Sequence, residues 1–153
     1  KNVNICVKHG LSVVQGDADK DLISYPSKSF DFVILSQTLQ ATHSPETVLN
    51  ELVRISKYAI VSFPNFGSWV VRLKLLFKGV MPQLKSLPHT WYTTPNIHLC
   101  TIKDFKQLCN KNSIKIEQSF YLDKNGKKII NFVNYNMIVN VCVFVVFGNF
   151  ENS

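Results

Sequence analysis

The stretch that decides the fold is FDFVILSQTLQATHSPETVLNELVRISKYAIVSFPN, residues 30–65. It contains a continuous apolar run over 32–35 and a mainly apolar run over 58–63, and Pro64 ends the second. Short apolar runs bounded by polar residues are typical of strands buried in a parallel sheet. The sequence therefore predicts two core strands, separated by enough residues for a helix.

A helix is predicted between these strands. Ser44 is suited to cap it, and Pro45 is suited to its first position. The spacing of the following apolar residues indicates one helix face, formed by Val48, Leu49, Leu52 and Val53. Strand, helix and strand in this order predict a right-handed crossover and an α/β fold with a parallel sheet.

Further elements are predicted on both sides of this unit. A short β-rich run at Leu11–Gln15 indicates another buried strand. Downstream, an amphipathic helix ending at Gly79 has the apolar stripe Trp69, Val70, Leu73, Leu76 and Phe77. Residues 80–99 contain three prolines and no clear period, which indicates a long loop, and loops of that length are usually functional.

The last third of the chain combines a helix with two strands. Thr101 and Asp104 have the spacing of a capping box for a helix that carries Phe105, Leu108 and Cys109. Two strand-like runs follow, at 114–122 and 137–147. Asn125-Gly126 between them is a strong tight-turn signal, so these strands are predicted to be antiparallel neighbours.

Composition sets limits on the class of protein. The 153 residues fit a single domain, and no apolar run is long enough to span a membrane. Four scattered cysteines indicate reduced thiols in a cytoplasmic protein. Lys1 is not an initiator methionine, so we expect the chain to be incomplete.

The net charge of +7 lies entirely in residues 61–153, since residues 1–60 carry as many acidic as basic side chains. Such a surface favours acidic partners or phosphates. Arg54 and Arg72 are the only arginines, and this shortage argues against dedicated nucleic-acid binding.

Polar residues follow three of the predicted strands, at Gly16-Asp17, Ser36-Gln37 and Pro64-Asn65. Ligands of open α/β sheets bind at the carboxyl ends of the strands, so we expect these residues to share one rim. Asp17 could accept a hydrogen bond from an exocyclic amine, Gly16 could let a flat ring approach, and Ser36 or Gln37 could hold a polar group.

The loop over 87–98 concentrates aromatic, amide and imidazole groups: Trp91, Tyr92, Asn96 and His98. It could close over a small substrate, with His98 as a candidate proton carrier. The sequence is about equally consistent with a packed loop that has no catalytic function. The spacing of His98 and Cys100 does not match a zinc site, and we expect no metal. No serine-hydrolase elbow or P-loop occurs.

Four strings closely resemble the MetW family of methionine biosynthesis, and they occur in that family's order. They are Gln15-Gly16-Asp17, residues 30–40, Ser62-Phe63-Pro64-Asn65-Phe66-Gly67, and residues 91–102. The resemblance covers about two thirds of the chain. It implies a class I methyltransferase-like, Rossmann-like three-layer sandwich, with a mostly parallel sheet and an antiparallel last strand.

The resemblance also implies a function. MetW proteins act beside homoserine O-acetyltransferase, and their scaffold is that of S-adenosylmethionine-dependent methyltransferases. By analogy with this fold, Asp17 corresponds to the acid that meets the adenine, and Ser36 and Gln37 flank the methionine part. His98 and Tyr92 are candidates for catalysis. Pro64, Asn65, Trp91 and Asn96 are candidates for contact with a substrate or partner, as are Tyr92 and His98.

The family's first two strands, its glycine-rich turn and the acidic residue that holds the ribose would all precede Lys1. We therefore expect residues 1–153 to form one methyltransferase-like domain without its cofactor turn, and to bind S-adenosylmethionine poorly.

The leading hypothesis is an accessory protein of homoserine O-acetyltransferase, with its basic C-terminal part or its aromatic loop as the contact surface. The alternatives are a methyltransferase of a small molecule and, less favoured, an RNA methyltransferase using the basic helix around Arg72.

Overall fold

A four-stranded mixed sheet is the centre of the structure, a computed structural model that describes residues 2–123, 125–129 and 134–148. The strands are β1 (Phe30–Ser36), β2 (Ser56–Pro64), β3 (Ile114–Leu122) and β4 (Val141–Gly148), in the spatial order β1-β2-β4-β3. β1 and β2 are parallel, and β4 is antiparallel to both β2 and β3. β1, β2 and β3 thus run in the same direction, and β4, the last strand in sequence, runs in the opposite direction, as predicted.

Five α-helices accompany the sheet in the described residues: α1 (Asn2–Lys8), α2 (Pro45–Ile55), α3 (Trp69–Lys78), α4 (Ile102–Lys111) and the short α5 (Tyr135–Ile138). The predicted starts of α2 and α4 and the end of α3 before Gly79 are confirmed. The loop over 80–99 is also confirmed, and it contains one isolated β-bridge, between Leu84 and Leu87.

The core lies between one face of the sheet and the helices α2 and α4. Along β2, alternate residues Ala59, Val61 and Phe63 are fully buried toward this layer. Phe63, Phe105 and Phe144 form its aromatic centre, with ring centroids 4.7–5.9 Å apart. Burial of rings of this size accounts for much of the stabilisation of a small domain.

The opposite face of the sheet is accessible to solvent. Phe32 and Ile34 of β1 are exposed there, and the Phe32 ring stacks on Tyr58 at 5.6 Å. β1 also pairs on one side only within the described residues. Of the three predicted layers, these residues form the sheet and the helical layer that contains α2 and α4.

The predicted strand at Leu11–Gln15 is wrong: these residues have no regular structure. The physical reason is that they pair with neither edge strand of the described sheet, β1 or β3, so no interstrand hydrogen bonds hold them in an extended conformation. A strand without a partner leaves its backbone groups to solvent, and Leu11 and Val14 are accordingly exposed.

The predicted last strand begins too early. Met137 and Ile138 belong to α5, and β4 starts at Val141. The side chain of Asn65 donates hydrogen bonds to the carbonyl oxygens of Asn136 and Val139, both at 2.9 Å, and so holds this turn away from the sheet. The antiparallel pairing of β3 with β4 is confirmed, and the turn residue Gly126 has a φ of 77°.

α3 is amphipathic as predicted, but its apolar stripe faces solvent. Val71, on the opposite side of the helix, is the residue that is buried, while Trp69, Leu73, Leu76 and Phe77 are exposed. Gly79 ends the helix with a φ of 60°, a conformation that favours glycine. No helix in the described part of the chain is long and apolar enough to cross a membrane.

Candidate functional site

The carboxyl end of β1 is the best-formed part of the predicted rim. The parallel register of β1 and β2 places Ser36 beside Ser62, with their hydroxyl oxygens 3.4 Å apart. The N–H of Gln37 donates to the carbonyl oxygen of Ser62 at 2.9 Å and to its hydroxyl at 3.1 Å. Gln37 has a φ of 49°, which is uncommon for a residue with a side chain and often marks a functional turn.

A hollow of about 280 Å³ lies against Gln37. Its walls also include Lys85 and Ser86 from the long loop, and Asp123 at the end of β3. A cation, a carboxylate, a hydroxyl and an amide around one hollow can orient a small polar ligand. Sequence reasoning missed Ser62, Lys85, Ser86 and Asp123, because only the strand register and the path of the loop bring them here.

Gly16 and Asp17 lie in a turn rather than at a strand end. The N–H of Asp17 donates to the carboxylate of Asp21 at 2.6 Å, and a Cβ on Gly16 would come within 2.9 Å of that same carboxylate. Only the end of this flexible side chain would have to move, so the contact does not by itself require glycine. The side chain of Asp17 is half exposed and pairs with Lys20 at 3.4 Å.

The Asp17–Asp21 turn is nevertheless fixed at the end of the domain where β1 ends. The carboxylate of Asp19 accepts hydrogen bonds from the N–H groups of His43 and Ser44, each at 2.9 Å, where α2 begins. These bonds lower the pKa of Asp19 below its ordinary value. Ser44 occupies the predicted N-cap position, but its side chain makes no capping hydrogen bond.

The side chain of Asn65 is held inside the fold. It is only 2% exposed, and besides its two bonds to the α5 turn its side-chain oxygen accepts from the N–H of Gly67 at 3.0 Å. Gly67 has little room for a side chain, because a Cβ there would lie 2.9 Å from Asn136. Pro64 is buried at the end of β2 and pairs with Val141. Neither residue presents a free polar group at the rim.

The aromatic loop does not converge on the hollow beside Gln37. Trp91 and Asn96 line a small space of about 40 Å³ within the loop itself. His98 lines a separate, mainly apolar cavity of about 230 Å³ beside Phe63 and Phe105. The loop is anchored because the N–H groups of Ile97 and His98 both donate to the carbonyl oxygen of Gln40 at 2.9 Å.

The described cysteines are free thiols. Burial, helped by the nearby Asp104 carboxylate, raises the pKa of Cys100 to about 12, and burial raises that of Cys109 to about 12. A thiol with so high a pKa is a poor nucleophile near neutral pH. Within the described ranges, no group of three His, Cys, Asp or Glu side chains is arranged to hold a metal ion.

Comparison with solved structures identifies the fold. A methyltransferase dependent on S-adenosylmethionine from Thermotoga maritima aligns with a TM-score of 0.61 and 20% identity, over 95% of this chain and 67% of that one. The [4+2]-cyclase SpnF aligns with a TM-score of 0.60 and 12% identity, over 95% of this chain and 61% of that one. The chain thus has the class I methyltransferase-like fold.

Sequence comparison gives the family. The model of methionine biosynthesis protein MetW matches residues 1–146. The chain is also 31% identical over 131 residues to the bifunctional methionine biosynthesis protein MetXA/MetW of Rhodopirellula baltica, with 84% of this chain aligned. The chain belongs to the MetW family. It spans about a fifth, 21%, of the length of that curated relative.

Proposed function

We propose that this MetW protein acts in methionine biosynthesis as an accessory subunit of homoserine O-acetyltransferase. The observation that carries the proposal is the relative from Rhodopirellula baltica, whose name joins MetXA and MetW in one bifunctional protein. Two activities in one polypeptide keep their domains at a high effective concentration, and separate chains achieve the same by binding each other. The free thiols are consistent with the cytoplasmic location that we expect for such a complex.

The placement of the candidate catalytic residues supports an accessory role. Tyr92 is exposed, and His98 lines a cavity different from the hollow beside Gln37. A general base must lie within hydrogen-bond reach of its substrate, so these two residues do not form a site with Ser36 and Gln37 in this conformation. The fold alone does not decide the reaction, since a [4+2]-cyclase shares it.

Co-expression tests the proposal. The protein is co-expressed, in its natural form, with the homoserine O-acetyltransferase of the same organism. The rate of acetyl transfer to homoserine is then measured. We expect the two chains to co-purify and the rate to exceed that of the acetyltransferase expressed with an empty vector. An unchanged rate without co-purification would rule the proposal out.

We further propose that residues 1–153 alone bind S-adenosylmethionine weakly. The described residues offer only part of a cofactor site: Ser36 and Gln37 at one strand end, and an exposed Asp17 already paired with Lys20. β1, next to this site, pairs on one side only within the described ranges. Isothermal titration calorimetry should therefore detect no binding at micromolar ligand. A dissociation constant in the micromolar range would contradict this proposal.

A second candidate function is methyl transfer to a small molecule. The hollow of about 280 Å³ favours it, because Lys85 could hold an acidic acceptor near Gln37. In that case the protein would transfer label from methyl-labelled S-adenosylmethionine to a metabolite extract, and Lys85→Ala would reduce the transfer. Absence of labelled product, together with activation of the acetyltransferase, would favour the accessory function.

A further inference from the structure

α3 displays an apolar surface that the described residues leave uncovered. Trp69, Leu73, Leu76 and Phe77 follow one another at helical spacing on the side opposite the buried Val71. Leu76 and Phe77 are 74% and 76% exposed. Single exposed apolar residues are common, but a contiguous patch of large ones usually marks a binding surface.

The long loop displays two further exposed aromatic side chains. Trp91 and Tyr92 are 73% and 71% exposed, and their rings are in edge contact at 5.5 Å. Met81, which follows α3 closely, lines the same small space as Trp91. The loop is tied to the helix because Lys74 donates a hydrogen bond to the carbonyl oxygen of Gln83 at 2.9 Å. We call the residues Trp69, Leu73, Leu76, Phe77, Trp91 and Tyr92 the α3 surface.

The charge of residues 69–92 limits what the α3 surface can bind. Residues 69–92 contain four basic side chains and no acidic one: Arg72, Lys74, Lys78 and Lys85. A second copy of the chain would bring like charges together, which disfavours self-association through this face. A partner with apolar side chains surrounded by carboxylates would complement both the apolar side chains of α3 and the basic side chains around them.

The fixed position of the basic groups favours a protein over a lipid surface. Arg72 donates to the carbonyl oxygen of Gly67 at 2.8 Å, and Lys74 is held by Gln83. Both side chains remain charged, and their hydrogen bonds hold the charges at defined positions. Anionic membranes are typically bound by clusters of about four to eight basic side chains. Residues 69–92 have four, and two of these, Arg72 and Lys74, already donate to backbone carbonyl oxygens. Exposed Trp, Tyr and Phe at fixed positions are instead typical of the centre of a protein interface.

We propose that the α3 surface binds an acidic, partly apolar surface of homoserine O-acetyltransferase. This inference rests on the proposed function, and it names the part of the chain that makes the contact. Aromatic side chains would provide most of the affinity, and the lysines around them would accelerate association and make it dependent on salt.

The test measures binding of the acetyltransferase to the MetW protein, as its organism produces it, by biolayer interferometry. The double variant Leu76→Glu, Phe77→Glu should weaken binding by about tenfold or more. The matched control is Ile23→Glu, since Ile23 is 75% exposed but lies in the short turn at Leu22–Ser24. This control should bind like the wild type. Thermal unfolding of all variants establishes that they are folded.

The outcomes separate the two proposals. If the wild type does not bind the acetyltransferase, the proposed function fails. If the wild type binds and the Leu76→Glu, Phe77→Glu variant binds equally well, the function stands and the α3 surface is excluded as the interface. The inference would also be overturned if these substitutions abolished binding to phosphatidylserine vesicles, or dimerisation in sedimentation velocity, without affecting the acetyltransferase.

Discussion

α2 and α3 are two amphipathic helices of nearly equal length, and the fold uses them in opposite ways. In α2 the apolar stripe faces the sheet, and Val48, Leu49, Leu52 and Val53 are all buried. In α3 the stripe faces solvent, and only Val71 on the other side is buried. Periodicity therefore predicts where the apolar face of a helix lies, but not whether the domain itself or a partner covers it.

The largest expected effect tests this difference directly. Leu49→Ala in α2 should lower the free energy of unfolding by about 2–5 kcal/mol, because it leaves a cavity in the core. Leu76→Ala in α3 should lower it by less than about 0.5 kcal/mol, because that side chain is mostly in water. Urea denaturation of both variants measures the two values. Similar losses would mean that α3 is packed like α2.

The next effect concerns the anchor before α3. Asn65→Ala should lower the free energy of unfolding by about 1–3 kcal/mol, because the buried carbonyl oxygens of Asn136 and Val139 lose their donor. Denaturant unfolding measures this loss, and Asn96→Ala in the loop is the control, expected to change stability little. A stable Asn65→Ala variant with impaired acetyltransferase binding would instead restore the role in partner contact that the sequence suggested.

A smaller effect on the free energy of unfolding is expected at the N-terminal caps of α4 and α2. Thr101 accepts from the N–H of Asp104, and Asp104 accepts from the N–H of Thr101, so α4 has a complete capping box. Thr101→Ala should cost about 1 kcal/mol of unfolding free energy, whereas Ser44→Ala should cost almost nothing, since the Ser44 side chain forms no cap bond. Equal losses in chemical denaturation would show that Ser44 caps α2 in solution.

The last effect is a pH dependence at the start of α2. The N–H groups of His43 and Ser44 lower the pKa of Asp19, so this carboxylate stabilises the fold above its unfolded pKa, about 3.9. That stabilisation is lost as the pH falls through the lower folded pKa. The melting temperature of Asp19→Asn should be below that of the wild type at pH 6, and the gap should narrow as the pH falls below the unfolded pKa of Asp19. A constant gap from pH 6 to pH 2 would contradict this account.

Much of the fold could be predicted from local signals. Apolar runs located β1 and β2, and the capping box located α4, because these features depend on neighbouring residues. The strand at Leu11–Gln15 could not be predicted correctly, since a strand needs a partner and no local pattern shows whether one is present. The start of β4 depends on the contact of Asn65 with a turn more than 70 residues away.

The site was predicted less well than the fold, for the same reason. Ser36 and Gln37 do lie at a strand end, but their neighbour Ser62 is set by the register of β1 and β2. Asn65 looks like a rim residue in the sequence and is buried in the structure. A polar side chain after a strand can either face a ligand or satisfy the backbone, and only the folded contacts distinguish the two.

Amide hydrogen exchange in the presence and absence of homoserine O-acetyltransferase tests the central claim most directly. We predict that the partner slows exchange over residues 69–92, while α2, already packed against the sheet, shows little change. Protection confined to the solvent-accessible face of the sheet around Phe32 and Ile34, with residues 69–92 unaffected, would contradict the assignment of the α3 surface.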